Sequence, residues 1–146
     1  MVDIDYANFA RIISDSFIMQ TNKEKNLIVE LSFDFALKII EYVEVLEKGH
    51  HYVIGQLLKS GTSIGANVRE AQNAESKADF IHKMKIAAKE ADETEYWLLL
   101  CMRSKIHPDC EGLLDSCISI SKVLSKIIST SKVSSSSNHQ ITKSSN

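Results

Sequence analysis

Apolar residues recur at intervals of three and four along almost the whole chain, and only one proline, Pro108, interrupts them. A strand would alternate apolar and polar positions, so this spacing calls for helices packed on one another. The stretch SGTSIGANVREAQ, Ser60 to Gln72, puts that reading under most strain, because two glycines and a run of small polar residues stand where a loop could cradle a phosphate. Yet Ile54, Leu57, Gly61, Ile64, Val68 and Ala71 hold helical phase straight through the glycines, which a loop has no reason to preserve. The phosphate loop G-x-x-x-x-G-K-[ST] also needs a lysine to reach its ligand. Here Gly61 and Gly65 have the wrong spacing and Ala66 follows. The stretch is predicted to be helix interior.

Three glycines in one helix, Gly55, Gly61 and Gly65, together cost about 2.5 kcal/mol relative to alanine. Close approach of a second helix is the expected offset, since Gly61 and Gly65 lie one turn apart and remove the side chains that would hold a neighbour away. Beside them run Gln56, Ser60, Ser63, Asn67 and Glu70, few of them charged. A solvated face normally carries many Lys and Glu, so Gln56, Gly61, Ser63, Gly65, Asn67 and Glu70 are predicted to form a helix-packing or subunit contact.

The remaining elements complete an all-α chain. A first helix is expected from about Leu27 to Lys48, with Ile28, Leu31, Phe35, Ile39, Tyr42 and Leu46 on one face and Gly49 as its stop. Phe33, Leu37, Ile40 and Val43 make a second apolar set on the same helix, which some further surface must cover. Ser76-Lys77-Ala78-Asp79 is a capping-box-like start for a third helix. Phe80, Met84, Ala87, Ala91, Thr94, Leu98 and Cys101 follow in register toward Lys105. Pro108 suits the first turn of a fourth helix, with Leu113, Cys117, Ile120, Leu124 and Ile127 behind it. The pattern stops after Ile128, and the Ser-rich remainder, residues 131–146, is expected to be a disordered tail. Residues 1–25 form an N-terminal extension in which Tyr6, Phe9, Ile13 and Phe17 are spaced for a short amphipathic helix. The architecture expected for residues 26–130 is an up-down-up-down four-helix bundle.

Composition narrows the chemistry. With 17 Lys+Arg against 19 Asp+Glu the net charge is -2, so no global pull toward nucleic acid or anionic lipid exists and any basic site must be local. Cys101, Cys110 and Cys117 are odd in number and lack CxxC spacing, which argues against a disulfide framework and a zinc cage and fits a reducing cytoplasm. No secretory leader and no membrane-length apolar run is seen, so no membrane partner is expected. A carboxylate-bridged metal site needs Glu-x-x-His on two helices, and only Glu47-Lys48-Gly49-His50 has that spacing, across a turn. Arg103-Ser104-Lys105-Ile106-His107 resembles a helical-nuclease motif with one intervening residue too few. No cofactor, metal or catalytic residue is expected. Between His50 and Glu90 six Lys+Arg face four acids, and the positions Lys77, His82, Lys83, Lys85 and Lys89 are the candidate contacts to nucleic acid. Phe80 is the one aromatic among them and belongs to the core in helical register, so no base-stacking platform is expected beside them.

The segment Leu57 to Leu98, LLKSGTSIGANVREAQNAESKADFIHKMKIAAKEADETEYWL, resembles the signature of the four-helix bundle proteins encoded in intervening sequences of 23S ribosomal RNA genes. The resemblance spans about Asn26 to Cys101 and rests on Ser60, Gly61, Ser63, Ile64, Asn67, Glu70, Ala71, Asp79, Phe80, Lys85, Glu90, Glu93 and Trp97. It implies a bundle that assembles into a ring-like homopentamer, with no established enzymatic activity. A more distant resemblance is to the accessory variability determinant of diversity-generating retroelements, which implies binding of nucleic acid and of a reverse transcriptase. The chain departs from the pattern at Lys59, where arginine is common, at Ala88, where leucine is common, and in its longer N-terminal segment. The expectation is therefore a non-enzymatic homo-oligomeric binding or scaffold module for RNA, DNA or a nucleic-acid-processing partner. A helical RNA-processing nuclease and a purely protein-binding scaffold are the alternatives.

Overall fold

The computed structural model describes residues 26–46, 50–104 and 108–140, with side chains described as far as Lys132. Four helices make up the described chain: α1 (Leu27–Val45), α2 (His51–Ala71), α3 (Lys77–Ser104) and α4 (Glu111–Gln140). Among the described residues α1 packs on α2, α2 on α3, α3 on α4 and α4 on α1, with no packing across either diagonal. The helices thus stand at the corners of a square, the arrangement that short connections between successive antiparallel helices produce.

Each helix contributes one stripe to a shared core. Ile28, Phe35, Ile39 and Tyr42 come from α1, Leu57, Ile64 and Val68 from α2, Met84, Ala87, Ala91 and Leu98 from α3, and Leu114, Cys117, Ile120 and Leu124 from α4. The periodicity through the glycines is helical as expected. A Cβ on Gly61 would stand 2.9 Å from Ile39 Cγ1, and one on Gly65 would stand 3.2 Å from the Ser32 carbonyl oxygen. The two glycines therefore seat α2 against α1, whereas a Cβ on Gly55 would meet nothing within 4 Å.

Several boundaries and faces differ from the expectation. Val43 is buried with the core set of α1 rather than with Phe33, Leu37 and Ile40, because it flanks the Tyr42–Leu46 turn that closes that end of the bundle. Leu114 takes the buried place expected of Leu113, which is half-buried. Pro108 lies outside α4: Asp109 Oδ1 accepts from the Glu111 amide at 3.3 Å and the Leu114 amide donates to the Cys110 carbonyl, so the helix starts after Cys110. The Pro108 carbonyl instead accepts from the Tyr42 hydroxyl at 2.9 Å, tying α1 to the α3–α4 connection. Residues 141–146 of the expected tail lie outside the described residues, while helix α4 is assigned to Gln140, past the Ser129 position where the apolar pattern ends. No glycine or proline stands there to stop it, and Ser129 and Thr130 hydroxyls donate back to the Lys126 carbonyl. The extension 1–25 and the stop at Gly49 lie outside the described residues.

Candidate nucleic-acid interface

The α2–α3 turn organises the basic positions. The Ser76 hydroxyl accepts from the Asp79 amide at 3.1 Å, and Asp79 Oδ2 accepts from the Glu75 amide at 3.1 Å, a reciprocal cap shifted by one residue from the usual box. Asp79 Oδ1 then lies 3.7 Å from Lys83 Nζ, one turn on, and Glu70 Oε2 reaches the same ammonium from α2 at 3.6 Å. Lys83 is thus a half-buried structural cation, bracing the turn between two carboxylates. Of the five candidate positions, Lys83 is the one with two carboxylates beside it.

His82, Lys85 and Lys89 behave differently. They fall at three- and four-residue steps on the outward line of α3, all exposed, and neither Lys85 nor Lys89 forms an ion pair among the described residues. Lys77 is exposed in the first turn of α3. Lys59 is exposed on α2, also without an ion pair among the described residues. Two open clefts offer less to an anion: Glu30 and Asp34 surround Arg69 in one, and Glu70, Glu75 and Asp79 surround Lys83 in the other.

Two members of the small polar strip of α2 bond back within their own helix. Ser60 Oγ donates to the Gln56 carbonyl at 2.8 Å and Asn67 Nδ2 to the Ser63 carbonyl at 2.8 Å, with Gln56, Ser63 and Asn67 half-buried and Glu70 exposed beside Lys83. Of the six contact positions, Gly61 and Gly65 meet α1 and Glu70 meets Lys83 of α3, all within the same chain.

Sequence reasoning misses an aromatic group at the other end of α3. Trp97 takes edge-to-face contacts from Tyr52 of α2, centroids 5.5 Å apart, and from Tyr96, 5.2 Å apart. Tyr52 is 70% exposed and Tyr96 56% exposed. Tyr96 continues the outward line of Lys85 and Lys89 at the next heptad step, a spacing visible in the sequence. The partnership with Tyr52, 44 residues away, is not.

On α1, Phe33, Leu37 and Ile40 form an outward apolar stripe, 55%, 46% and 40% exposed. The three cysteines are buried thiols. Burial pushes Cys101 and Cys110 up, and burial with the nearby Glu95 and Asp92 carboxylates pushes Cys117 up to about 12. Such thiols stay protonated and unreactive at neutral pH. Among the described residues no three His, Cys, Asp or Glu side chains gather around a common point for a metal ion, and no helix is long and apolar enough to cross a membrane. Glu47 and His107, from the two weak motifs, lie outside the described residues.

The model of the 23S rRNA-intervening sequence protein family matches residues 24–126. The chain belongs to that family. A solved structure from Bacteroides thetaiotaomicron, a protein of unknown function from the S23 ribosomal protein family, is 43% identical to this 23S rRNA-intervening sequence protein. The likeness covers 69% of this chain and 97% of that one with a TM-score of 0.66. No curated protein matches the chain. In this member of the intervening sequence family, the resemblance positions Ser60, Gly61, Ile64 and Ala71 are buried and Lys85 is exposed. Much of the signature therefore encodes helix packing.

Proposed function

We propose that this 23S rRNA-intervening sequence protein is a non-enzymatic, homo-oligomeric bundle that acts as a binding or scaffold module for nucleic acid. The observation that carries the reading is the outward row His82, Lys85, Lys89, whose two lysines have no carboxylate partner among the described residues. A cation without an internal partner is available to phosphate, and an oligomer repeats the row once per subunit. The stripe Phe33, Leu37, Ile40 supports self-association, because three large apolar side chains at helical spacing gain by leaving water. The five-subunit ring is the number that the family resemblance implies. The buried, protonated thiols argue against a cysteine nucleophile.

With net charge -2 on each chain, attraction is confined to the row, so affinity falls steeply as salt rises. Anisotropy titration of labelled RNA and DNA oligonucleotides against the full chain tests this, with mass followed by light scattering. Binding to neither polymer at low ionic strength overturns the nucleic-acid reading and leaves a protein scaffold built on the α1 stripe.

A further inference from the structure

We propose that Tyr52 and Tyr96 form a stacking platform for unpaired bases, so that the nucleic acid held by the lysine row is single-stranded. The inference rests on the nucleic-acid reading above and adds the class of strand that the surface accepts.

Two independent helices place the same pair of groups in the same order. On α3, Tyr96 stands seven residues beyond Lys89, and on α2, Lys59 stands seven residues beyond Tyr52. Seven residues are two helical turns, so each tyrosine and its lysine share a face about 10 Å apart along the helix. The helices are antiparallel and both tyrosines contact Trp97, which sets the tyrosines at one level and the lysines together at a second level, nearer the α2–α3 turn. Aromatic faces and cations therefore alternate along one surface. A single strand presents bases and phosphates in the same alternation, whereas a duplex buries its bases in the stack and offers only phosphates.

The ground between the two levels is open on the α2 side. Gly55 lies between Tyr52 and Lys59, is exposed, and has nothing within 4 Å of where its Cβ would be. On the α3 side Asp92 is the one exposed acid between Lys89 and Tyr96, and Glu90, Glu93 and Glu95 in the same stretch are half-buried. The platform itself is firm: Trp97 is half-buried, both tyrosine rings pack against it at steep interplanar angles of 73° and 75°, and its Nε1 is shut from solvent without an acceptor among the described residues. Held by packing, the two phenol rings keep an outer face for a flat ligand.

The chain's single tryptophan makes the proposal directly readable. The full-length protein is titrated with an unstructured oligothymidine of about 20 nucleotides and, separately, with a hairpin-free duplex of equal length. Trp97 emission and anisotropy are recorded together. Single-strand binding is expected to quench Trp97, and duplex binding to leave it unchanged. Tyr52→Ser and Tyr96→Ser should each weaken single-strand binding roughly ten-fold while leaving duplex binding alone. Asp92→Asn should tighten single-strand binding roughly two- to three-fold at low salt. Binding that depends on Lys85 and Lys89, treats both strand forms alike and ignores the tyrosine variants overturns the platform while the nucleic-acid reading stands. No binding of either form overturns both. A change in oligomer mass for the serine variants, with helicity by circular dichroism unchanged, makes the tyrosines a contact to a second copy and also overturns the platform.

Discussion

Gly61 faces Ile39 so closely that α1 and α2 could not hold their present separation with any side chain at position 61. A Cβ there would lie 2.9 Å from Ile39 Cγ1 and 3.1 Å from Cγ2, and Ile39 is wholly buried and stiff at χ1 because it is β-branched. Gly61→Ala gains about 1 kcal/mol of helix propensity but overpacks by about 1–3 kcal/mol, a net loss of about 1 kcal/mol. Gly65→Leu, driven against the Ser32 backbone, should lose about 1–3 kcal/mol. Gly55→Ala meets nothing and should gain about 0.5–1 kcal/mol. Urea denaturation of the three variants checks the order, and a Gly61→Ala protein as stable as Gly55→Ala would refute the close contact.

Self-association through α1 predicts that a charge in the middle of its apolar stripe breaks assembly without unfolding the subunit. Leu37 is 46% exposed, so Leu37→Lys should cost the isolated bundle little. Light scattering should show the variant moving from oligomer toward the 16.4 kDa chain mass with unchanged helicity. An unshifted oligomer mass would place the interface elsewhere.

The two kinds of lysine on α3 should separate in a salt titration. Lys85→Gln with Lys89→Gln removes unpaired cations and should make the log–log slope of affinity against salt shallower by roughly two. Lys83→Gln removes a cation already committed to Glu70 and Asp79, so the slope should hardly move, with about 0–1 kcal/mol of stability lost. A larger slope change for Lys83 than for the pair would contradict the assignment.

Alkaline pH should weaken the fold through Cys117. Its thiol ordinarily ionises near 9.0, while burial, reinforced by Glu95 and Asp92, pushes it up to about 12 in the folded chain. The folded state holds that proton more tightly than the unfolded state, so the contribution is complete below pH 9 and is lost as pH rises through the folded value. The loss approaches 1.4 kcal/mol per pH unit for one group. Stability measured from pH 8 to 11 should fall less steeply in Cys117→Ala than in the parent, and equal slopes would remove Cys117 as the cause.

Local period made most of the fold readable. Gly61 and Gly65 could be placed inside a helix because Leu57, Ile64 and Val68 carry the phase across them, and the Ser76–Asp79 cap follows from four adjacent residues. Contacts that join distant positions left weaker traces. Asp79 and Lys83 are a visible helical pair, but Glu70 joins them only once α2 folds back over the turn, which no local spacing shows. Tyr52 and Tyr96 meet at Trp97 only through the antiparallel register of α2 and α3, and no spacing along the chain encodes that meeting. Val43 shows the limit within one helix: on a segment apolar around much of its circumference, period alone does not say which side turns inward.

The square arrangement of the helices also bears on how quickly the chain finds its structure. Every packed pair joins consecutive helices except α4 closing on α1, so most of the loop-closure entropy is small and is met early. Low contact order of this kind belongs to chains that fold in roughly microseconds to milliseconds. The α2–α3 hairpin combines a capped turn with the most extensive packing of any helix pair among the described residues, which makes it the natural nucleus. The α1–α4 seam, the longest-range and least extensive contact, closes last. Amide exchange should accordingly find that seam opening at lower free energy than the α2–α3 pair.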